Sequence, residues 1–346
     1  MELATYETIT EILPIEGADR IELARVQGWQ SVIKKGEYKV GDQVIFVPID
    51  TVLTPRPWNE FLWDKNDPTK PIRVKTVKLR GTVSQGLIFP TSLISAQEVW
   101  DHRDDPDEDT SIAGMLGITK YEKPVPAQLA GQARGNFPTH WVSKTDEDNL
   151  KSNIRVLDEL REAHFVDASL KLDGTSATYI KELDGTFRVC SRNLELKDTP
   201  ESVYWQMARK YNIAETLPEG FCIQGEIVGP GIQGNNIGLS EVKLFVFNVS
   251  NIQTREYLTG FQPDGKFASI CPALASVPSV RNWSKDSFSD LTVDELQEYA
   301  NTLKYASNKP AEGIVLRGYD KDGNLLKSKR LQKMLSVKII NQNFKD

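Results

Sequence analysis

Lys171-Leu172-Asp173-Gly174 brings an amine, a carboxylate and a glycine together within four residues. A lysine amine is a good nucleophile once it loses its proton, but its ordinary pKa of about 10.4 keeps it protonated at neutral pH. Attack on a phosphorus centre therefore needs a neighbour, a metal ion or a second cation, that favours the neutral amine. Taken alone, these four residues read as a solvated lysine ahead of a turn. Further patterns follow in order: Ser191-Arg192-Asn193-Leu194-Glu195, Phe221-Cys222-Ile223-Gln224-Gly225-Glu226, Leu244-Phe245-Val246-Phe247-Asn248, Glu312-Gly313-Ile314-Val315-Leu316-Arg317 and Ser336-Val337-Lys338-Ile339-Ile340-Asn341. Each has a plain reading as well. A carboxylate at a strand end is commonly solvated, Phe247 is commonly core, and Arg192 is placed to pair with Glu195. Phe245 and Phe247 have the same parity on a strand and would face the same side.

The elements that must position these residues read as follows. In residues 1–95, strands at Tyr6 to Leu13, Ile21 to Val26, 28–33, 43–47, Arg73 to Leu79 and 87–89 are separated by glycine turns, the pattern of a small β-barrel. The acidic stretch 100–109 reads as an exposed loop, and residues 115–140, rich in Gly, Pro and Ala, as a linker. A second unit follows, with a helix around 153–160 and strands at 165–171, 175–181, 186–191, 221–228 and 243–249. Pro200 to Tyr211 has a helical pattern, Thr292 to Glu295 is a capping box, and final strands lie at 313–317 and 336–340. The fold class is α+β with mostly antiparallel sheet. The expected division is a barrel over 1–115, a linker over 116–139 and a catalytic unit over 140–346.

A chain of 346 residues, 39% apolar and 26% charged, has room for about two ordinary globular domains. Its net charge of −6 argues against indiscriminate nucleic-acid binding over the whole surface but leaves room for a local basic groove. Arg73, Lys75, Lys78 and Arg80 supply such a cluster within the barrel, and Trp29 has two readings, base stacking or core. Cys190, Cys222 and Cys271 are odd in number, widely spaced and form no C-x-x-C pair, so a structural zinc site is not expected. No signal segment or membrane-spanning run is present, and a reducing, cytoplasmic setting is the default.

In their order, and together with Lys171-Leu172-Asp173-Gly174, these patterns resemble the motifs of the covalent nucleotidyltransferases, the polynucleotide ligases and mRNA capping enzymes, over roughly residues 140–346. The resemblance implies an ATP-grasp-like ligase domain in which Lys171 attacks the α-phosphate of ATP to give lysyl-AMP. It implies that Lys338 touches the α-phosphate, Glu226 holds the ribose, Phe247 stacks on adenine, and Arg192 touches the ribose or an incoming phosphate. Asp173, Glu226 and Glu312 would help to hold a hydrated Mg²⁺ or Mn²⁺. Lys327-Ser328-Lys329 competes with Lys338 as the last motif, and the Ser-Val-Lys-Ile-Ile-Asn context favours Lys338. Ile340 stands where other branches carry a second lysine.

Within the superfamily, Ser176 stands where DNA ligases usually carry an arginine. Only eight residues follow Lys338, where classical DNA ligases and capping enzymes place an OB barrel. With its barrel at the N-terminus, the chain resembles RNA ligases with an N-terminal OB domain. Pro14 to Arg20, Gly28-Trp29, Leu79 to Leu87 and Ser143-Lys144-Thr145-Asp146-Glu147 are the specific cues. A triphosphate contact near the last of these would rest on Lys144. The implied activity is an ATP-dependent RNA ligase that joins 3′-OH and 5′-phosphate ends, with nicked duplexes as favoured substrate, RNA as partner and a monomer as the expected state. The alternatives are a capping-type guanylyltransferase and an inactive OB-type nucleic-acid-binding protein.

Overall fold

In the strand Gln43–Val47 four consecutive apolar residues are buried, and they face two cores. Val44 and Phe46 join Ile9, Ala24, Val26, Trp29 and Ile33, whereas Ile45 and Val47 join Leu53, Val74, Phe89 and Ile118. A strand buried on both faces loses the apolar–polar alternation of a half-buried one, and here it is the shared wall of two apolar layers. Trp29 is 2% exposed and lies in the first layer. It is a core residue, so base stacking does not fall to it.

The computed structural model describes residues 3–94, 111–121, 131–258 and 273–345. The expected acidic loop over 100–109, Cys271 and residues 122–130 of the expected linker lie outside these ranges. The chain divides into two units, Met1–Pro124 with Lys151–Ile154, and Val125–Leu150 with Arg155–Asp346.

The first unit is antiparallel throughout. One sheet runs in the order Trp29–Lys34, Ile21–Val26, Thr5–Pro14, Gln43–Val47 and Leu87–Pro90. A three-stranded sheet orders Ile118–Lys120, Thr51–Leu53 and Ile72–Arg73, and Val77–Leu79 with Thr82–Ser84 form a separate hairpin. The single strand expected over 73–79 is therefore two strands in different sheets. Residues 116–139 also differ from a plain linker. Ile118–Lys120 pairs with Thr51–Leu53, and Ala133–Asn136 pairs with Leu194–Leu196.

The second unit holds two sheets, each with one apolar face under helices. A seven-stranded sheet runs Ala133–Asn136, Leu194–Leu196, Phe187–Cys190, Thr175–Lys181, Phe221–Val228, Lys243–Asn251 and Ala275–Ser276. Its covered face carries Ala177, Tyr179, Ile223, Ile227, Leu244 and Val246 against the helices Val203–Lys210 and Ile213–Thr216. A five-stranded sheet runs Asp148–Asn149, Ser336–Ile340, Gly313–Tyr319, Phe165–Lys171 and Ser279–Ser284. Val166, Ala168, Ile314, Leu316, Val337 and Ile339 form its covered face, against the helices Val156–Arg161, Lys285–Phe288 and Val293–Thr302. The last helix starts at the expected capping box: Thr292 Oγ1 accepts from the Glu295 N–H, and Glu295 Oε2 accepts from the Thr292 N–H. Because side chains alternate along a strand, the residues between the core positions point to the opposite face of each sheet. The chemistry-bearing residues stand there.

Candidate active site

Lys171 ends the strand Phe165–Lys171 and pairs with Gly313 across the ladder. The ladder continues from Gly313 to Ile340 and from Val315 to Lys338, while Ser169 pairs with Val315. Directly opposed residues share a face, so Ser169, Lys171, Val315, Lys338 and Ile340 all project from the side opposite the core. Glu226 stands in the seven-stranded sheet. It pairs with Ser176 on one neighbour and Phe245 on the other, two residues beyond Gln224 on the uncovered face.

Lys171 Nζ donates to Glu312 Oε1 at 2.6 Å, and both side chains are largely buried. Burial by itself would lower the pKa of Lys171. The carboxylates of Glu312, Glu226 and Asp173 outweigh it and hold the amine above its ordinary value. The pKa of Glu226 is pushed up to about 8 by burial, with Lys171 opposing the rise and Glu312 and Asp173 adding to it. One ammonium thus faces three carboxyl groups, of which Glu226 keeps its proton up to about pH 8. A hard divalent cation that keeps several waters and takes only one or two protein carboxylates suits such an oxygen-rich, negatively charged set. Among the described residues no three His, Cys, Asp or Glu side chains form a ready-made metal cage.

The raised Glu226 has a consequence for stability. Between the unfolded value near 4.5 and the folded value near 8, the folded protein keeps a proton that the unfolded chain releases, so stability falls as pH rises through this window. Glu226→Gln removes the loss. Thermal unfolding curves of the two proteins should coincide near pH 5 and diverge toward pH 8.5, with the variant ahead by about 1–3 kcal/mol. Parallel curves over this range would contradict the assignment.

Two glycines let the backbones approach here. A Cβ on Gly174 would stand 2.4 Å from the Ile227 carbonyl oxygen, and one on Gly313, where φ is 152°, would stand 2.1 Å from that of Ile339. The glycines of K-x-D-G and Glu-Gly therefore answer to close strand contacts rather than to flexibility.

The strand Lys243–Asn251 carries an irregularity: Asn248 pairs with Gln224 and Val246 with Gly225, which leaves Phe247 as the extra residue. Val246 and Val249 both lie in the core, so the bulge turns Phe247 and Asn248 together to the uncovered face. Phe245 packs against the cluster of Leu172, Val228, Ile237, Tyr305 and Ala311, whereas Phe247 joins none of the apolar clusters of the described residues. Arg317, 5% exposed, donates to the Phe247 carbonyl at 2.7 Å and to Ser336 Oγ at 3.2 Å. Its guanidinium also lies 3.5 Å from Glu147, which accepts from Ser336 Oγ.

The remaining expected residues separate from this centre. Arg192 pairs with Asp146 at 2.6 Å, not with Glu195, which is held by Arg188 in a two-pronged contact. Lys144 Nζ donates to Asn193 Oδ1 at 2.9 Å, so Lys144 and Asp146 both reach the Ser191–Glu195 loop. Ser176 Oγ meets Thr145 Oγ1 at 2.9 Å. Lys327 and Lys329 are exposed, Lys327 on the small ladder with Lys333–Met334 and Lys329 just past it, while Ser328 between them is buried. Sequence reasoning gave no role to Arg317 or to Asn236, whose Nδ2 donates to Asp173 Oδ2 at 2.8 Å. A lone arginine in an otherwise apolar strand is the one signal that pointed to Arg317.

Cys190 and Cys222 are buried free thiols on the strands flanking Thr175–Lys181, and burial pushes the Cys190 thiol up to about 12. No helix among the described residues is long and apolar enough to cross a membrane.

A family model described as an OB-fold domain matches residues 3–91. No curated protein sequence matches the chain. Solved structures do. Naegleria gruberi RNA ligase with PPi is 29% identical, with 99% of this chain and 97% of that one covered at a TM-score of 0.78. A mutant of the same ligase with ATP and Mn is also 29% identical, with 99% and 98% covered at a TM-score of 0.78. A mutant with AMP and Mn gives 29% identity, 99% and 97% coverage and a TM-score of 0.79. The likeness runs nearly the length of both chains, across the N-terminal OB fold and the two-sheet unit of this protein. Over nearly its whole length the chain is therefore similar to an RNA ligase, and its N-terminal part matches an OB-fold domain.

Proposed function

We propose that this protein is an ATP-dependent RNA ligase that joins 3′-OH and 5′-phosphate ends, with nicks in duplexes whose 3′-OH strand ends in RNA as its substrate. The observation that carries this reading is the Lys171 amine, 2.6 Å from Glu312 and ringed by Glu226 and Asp173, on the sheet face it shares with Lys338. The Naegleria gruberi ligase structures with ATP, AMP and PPi support it.

In the first step the Lys171 nitrogen bonds to the α-phosphorus of ATP and the bond to pyrophosphate breaks. In the second the phosphorus–nitrogen bond breaks as a 5′-phosphate oxygen takes the AMP. In the third the 3′-OH attacks that 5′-phosphorus and AMP leaves. The amine must first give up the proton it shares with Glu312, the nearest acceptor in this site. Asp173, Glu226 and Glu312 are the residues that would hold Mg²⁺ or Mn²⁺, whose charge favours the neutral amine and offsets the phosphate oxygens. Lys338 then supplies a fixed positive charge toward the α-phosphate. Phe247 is left for adenine by the packing of Phe245, with its main chain held by Arg317. Glu226 meets the ribose, and Arg192, on the Ser191–Glu195 loop, and Lys144, which reaches that loop through Asn193, would face the outer phosphates.

The OB unit grips the strand that ends in the 3′-OH. Of the four basic residues expected there, Arg73 is engaged with Asp50 at 2.9 Å and lies 3.7 Å over the Tyr121 ring. Lys75, Lys78 and Arg80 are exposed on and around the Val77–Ser84 hairpin, where Val77 and Leu79 are exposed too. Those three cations are the phosphate-contacting set. The protein acts as a monomer in a reducing, cytoplasmic compartment.

Incubation with α-labelled ATP or GTP and Mg²⁺ or Mn²⁺ tests the reading. ATP alone should label the protein, and the labelled protein should seal a nicked duplex with an RNA 3′-OH end. Labelling by GTP alone would indicate capping chemistry, and binding without an adduct would indicate an inactive nucleic-acid-binding protein.

A further inference from the structure

The ladder between Phe165–Lys171 and Gly313–Tyr319 ends at the pair Lys171 and Gly313. Three main-chain groups lie at this end: the Lys171 carbonyl and the Asp173 and Glu312 N–H groups. One side chain serves all three. The Tyr305 hydroxyl donates to the Lys171 carbonyl oxygen at 2.8 Å and accepts from the Asp173 N–H at 3.0 Å and the Glu312 N–H at 3.1 Å. One donor and two lone pairs are the whole capacity of a hydroxyl, and here all are used on the main chain of the nucleophile and of the two acidic residues beside it.

Tyr305 is itself fixed. It is 4% exposed, and its ring packs with Leu172, Val228, Ile237 and Ala311. Its own main chain is locked in a tight turn, with the Tyr305 N–H donating to the Lys309 carbonyl at 2.9 Å and the Asn308 N–H donating to the Tyr305 carbonyl at 2.9 Å. The same turn has a second arm. Lys309 Nζ donates to Asn236 Oδ1 at 3.0 Å, which fixes the amide so that Asn236 Nδ2 donates to Asp173 Oδ2 at 2.8 Å. Ser307 Oγ donates to the Asn236 carbonyl. The Tyr305–Lys309 turn thus holds the backbone of the site with one group and the heading of the Asp173 carboxylate with another.

We propose that Tyr305 is a positioning residue for transfer of the adenylyl group to Lys171: its hydroxyl fixes Lys171 and Glu312 relative to each other at the open end of their ladder, and Lys309 acting through Asn236 fixes Asp173. This rests on the ligase reading above. A tyrosine that merely fills the core would contribute through its ring, and Tyr305→Phe keeps the ring. Loss of the hydroxyl leaves two buried N–H groups and a carbonyl without their partner, so the main chain around Lys171 relaxes. A displacement of about 1 Å between reacting groups costs up to about 100-fold in rate.

The test is single-turnover formation of the enzyme–AMP adduct over a range of ATP concentrations, well below the unfolding temperature. In Tyr305→Phe the maximal rate should fall about 10- to 100-fold while the ATP concentration for half-maximal rate moves less than about threefold. Asn236→Ala, which leaves the ring and its core untouched, should show the same split with a smaller drop of about 5- to 20-fold. Wild-type rates in both variants, or a loss carried by ATP affinity alone, would overturn the proposal. If Tyr305→Phe does not fold, Asn236→Ala decides: an unchanged maximal rate overturns the proposal, and the expected split supports it. Failure of the wild-type protein to form any adduct would instead overturn the ligase reading itself.

Discussion

Lys171→Ala yields no enzyme–AMP adduct and a protein that is less stable at neutral pH. The first half follows from chemistry: without the amine there is no group at the end of this strand to take the α-phosphorus. The second half follows from charge. Lys171 is the cation that Glu312, Glu226 and Asp173 share, and its pKa is held above the ordinary value by them against the opposing effect of burial. A basic group whose folded pKa exceeds its unfolded one contributes stability that is fully present below the unfolded value and is lost as pH rises through the folded one. At pH 7 that contribution is complete, and its removal also leaves Glu312 without its ion-pair partner. Breaking a largely buried pair by removing one member is costly, here about 1–3 kcal/mol after allowance for partial exposure. Glu312→Gln added to Lys171→Ala should restore a good part of that loss, because no unpaired carboxylate remains at that position, yet it should restore no labelling. Denaturant unfolding and adduct formation, read on the single and double variants, separate the two effects. Labelling that persists in Lys171→Ala would remove the nucleophile from this site.

Much of the second unit was legible because its strands are half-buried. Phe165–Lys171 and Ser336–Ile340 alternate apolar core positions with chemistry-bearing ones, so the pattern that locates the strand also locates the site face. The first unit hid more. Residues 73–79 read as one run of charged and apolar side chains, yet the chain leaves one ladder at Arg73 and enters a hairpin at Val77. The two strands are exposed or half-exposed and Val74 alone between them is buried, so no continuous buried face marked the break. The short strand Ile118–Lys120 was masked by its setting among glycines and prolines, and its pairing with Thr51–Leu53 is set by a distant part of the chain.

The site divides along the same line. Lys171 ends its strand, Glu226 lies two residues short of the end of another, Glu312 directly precedes a third, and they come together in space. Phe245 and Phe247 share a parity, and the structure separates them by packing: Phe245 fills an apolar cluster, while a bulge and the Arg317 guanidinium hold Phe247 on the uncovered face. Neither a bulge nor a buried arginine's acceptor is written in local sequence. Arg192 was set beside Glu195 by proximity in the chain, but Glu195 is taken by Arg188 from the adjoining strand, and Arg192 reaches Asp146 instead. Tyr305 and Asn236 carry no local signal, since what matters in each is a hydrogen bond across more than 60 positions of chain.

Lys338→Ala should lower the rate of adduct formation by about 100- to 1,000-fold, the loss expected when one preorganised charge-stabilising group is removed. Lys327→Ala and Lys329→Ala should each stay within about threefold of the parent. The distinction is geometric. Lys338 lies two strands from Lys171 and two residues along, about 10 Å sideways and about 7 Å lengthwise by ordinary sheet spacings, on the same face. Two extended lysine side chains span much of that separation, so an anion bound by Lys171 comes within reach of Lys338. Lys327 lies on the separate ladder with Lys333–Met334 and Lys329 in the turn that follows it, both exposed to solvent, with only Ser328 between them turned inward. A charge in water at such a site is screened and mobile, and the sequence likeness of Lys-Ser-Lys to a last-motif pair does not bring it to the face of the five-stranded sheet. Because Ile340 pairs with Gly313 directly beside Lys171, the place of a second lysine on this strand is apolar. On the proposed reading the phosphate contacts from this strand therefore rest on Lys338, and its loss has no second lysine on the strand to compensate for it. Equal losses from Lys327→Ala and Lys338→Ala would move the last motif to the other ladder and break the link between sheet register and phosphate contact on which this assignment stands.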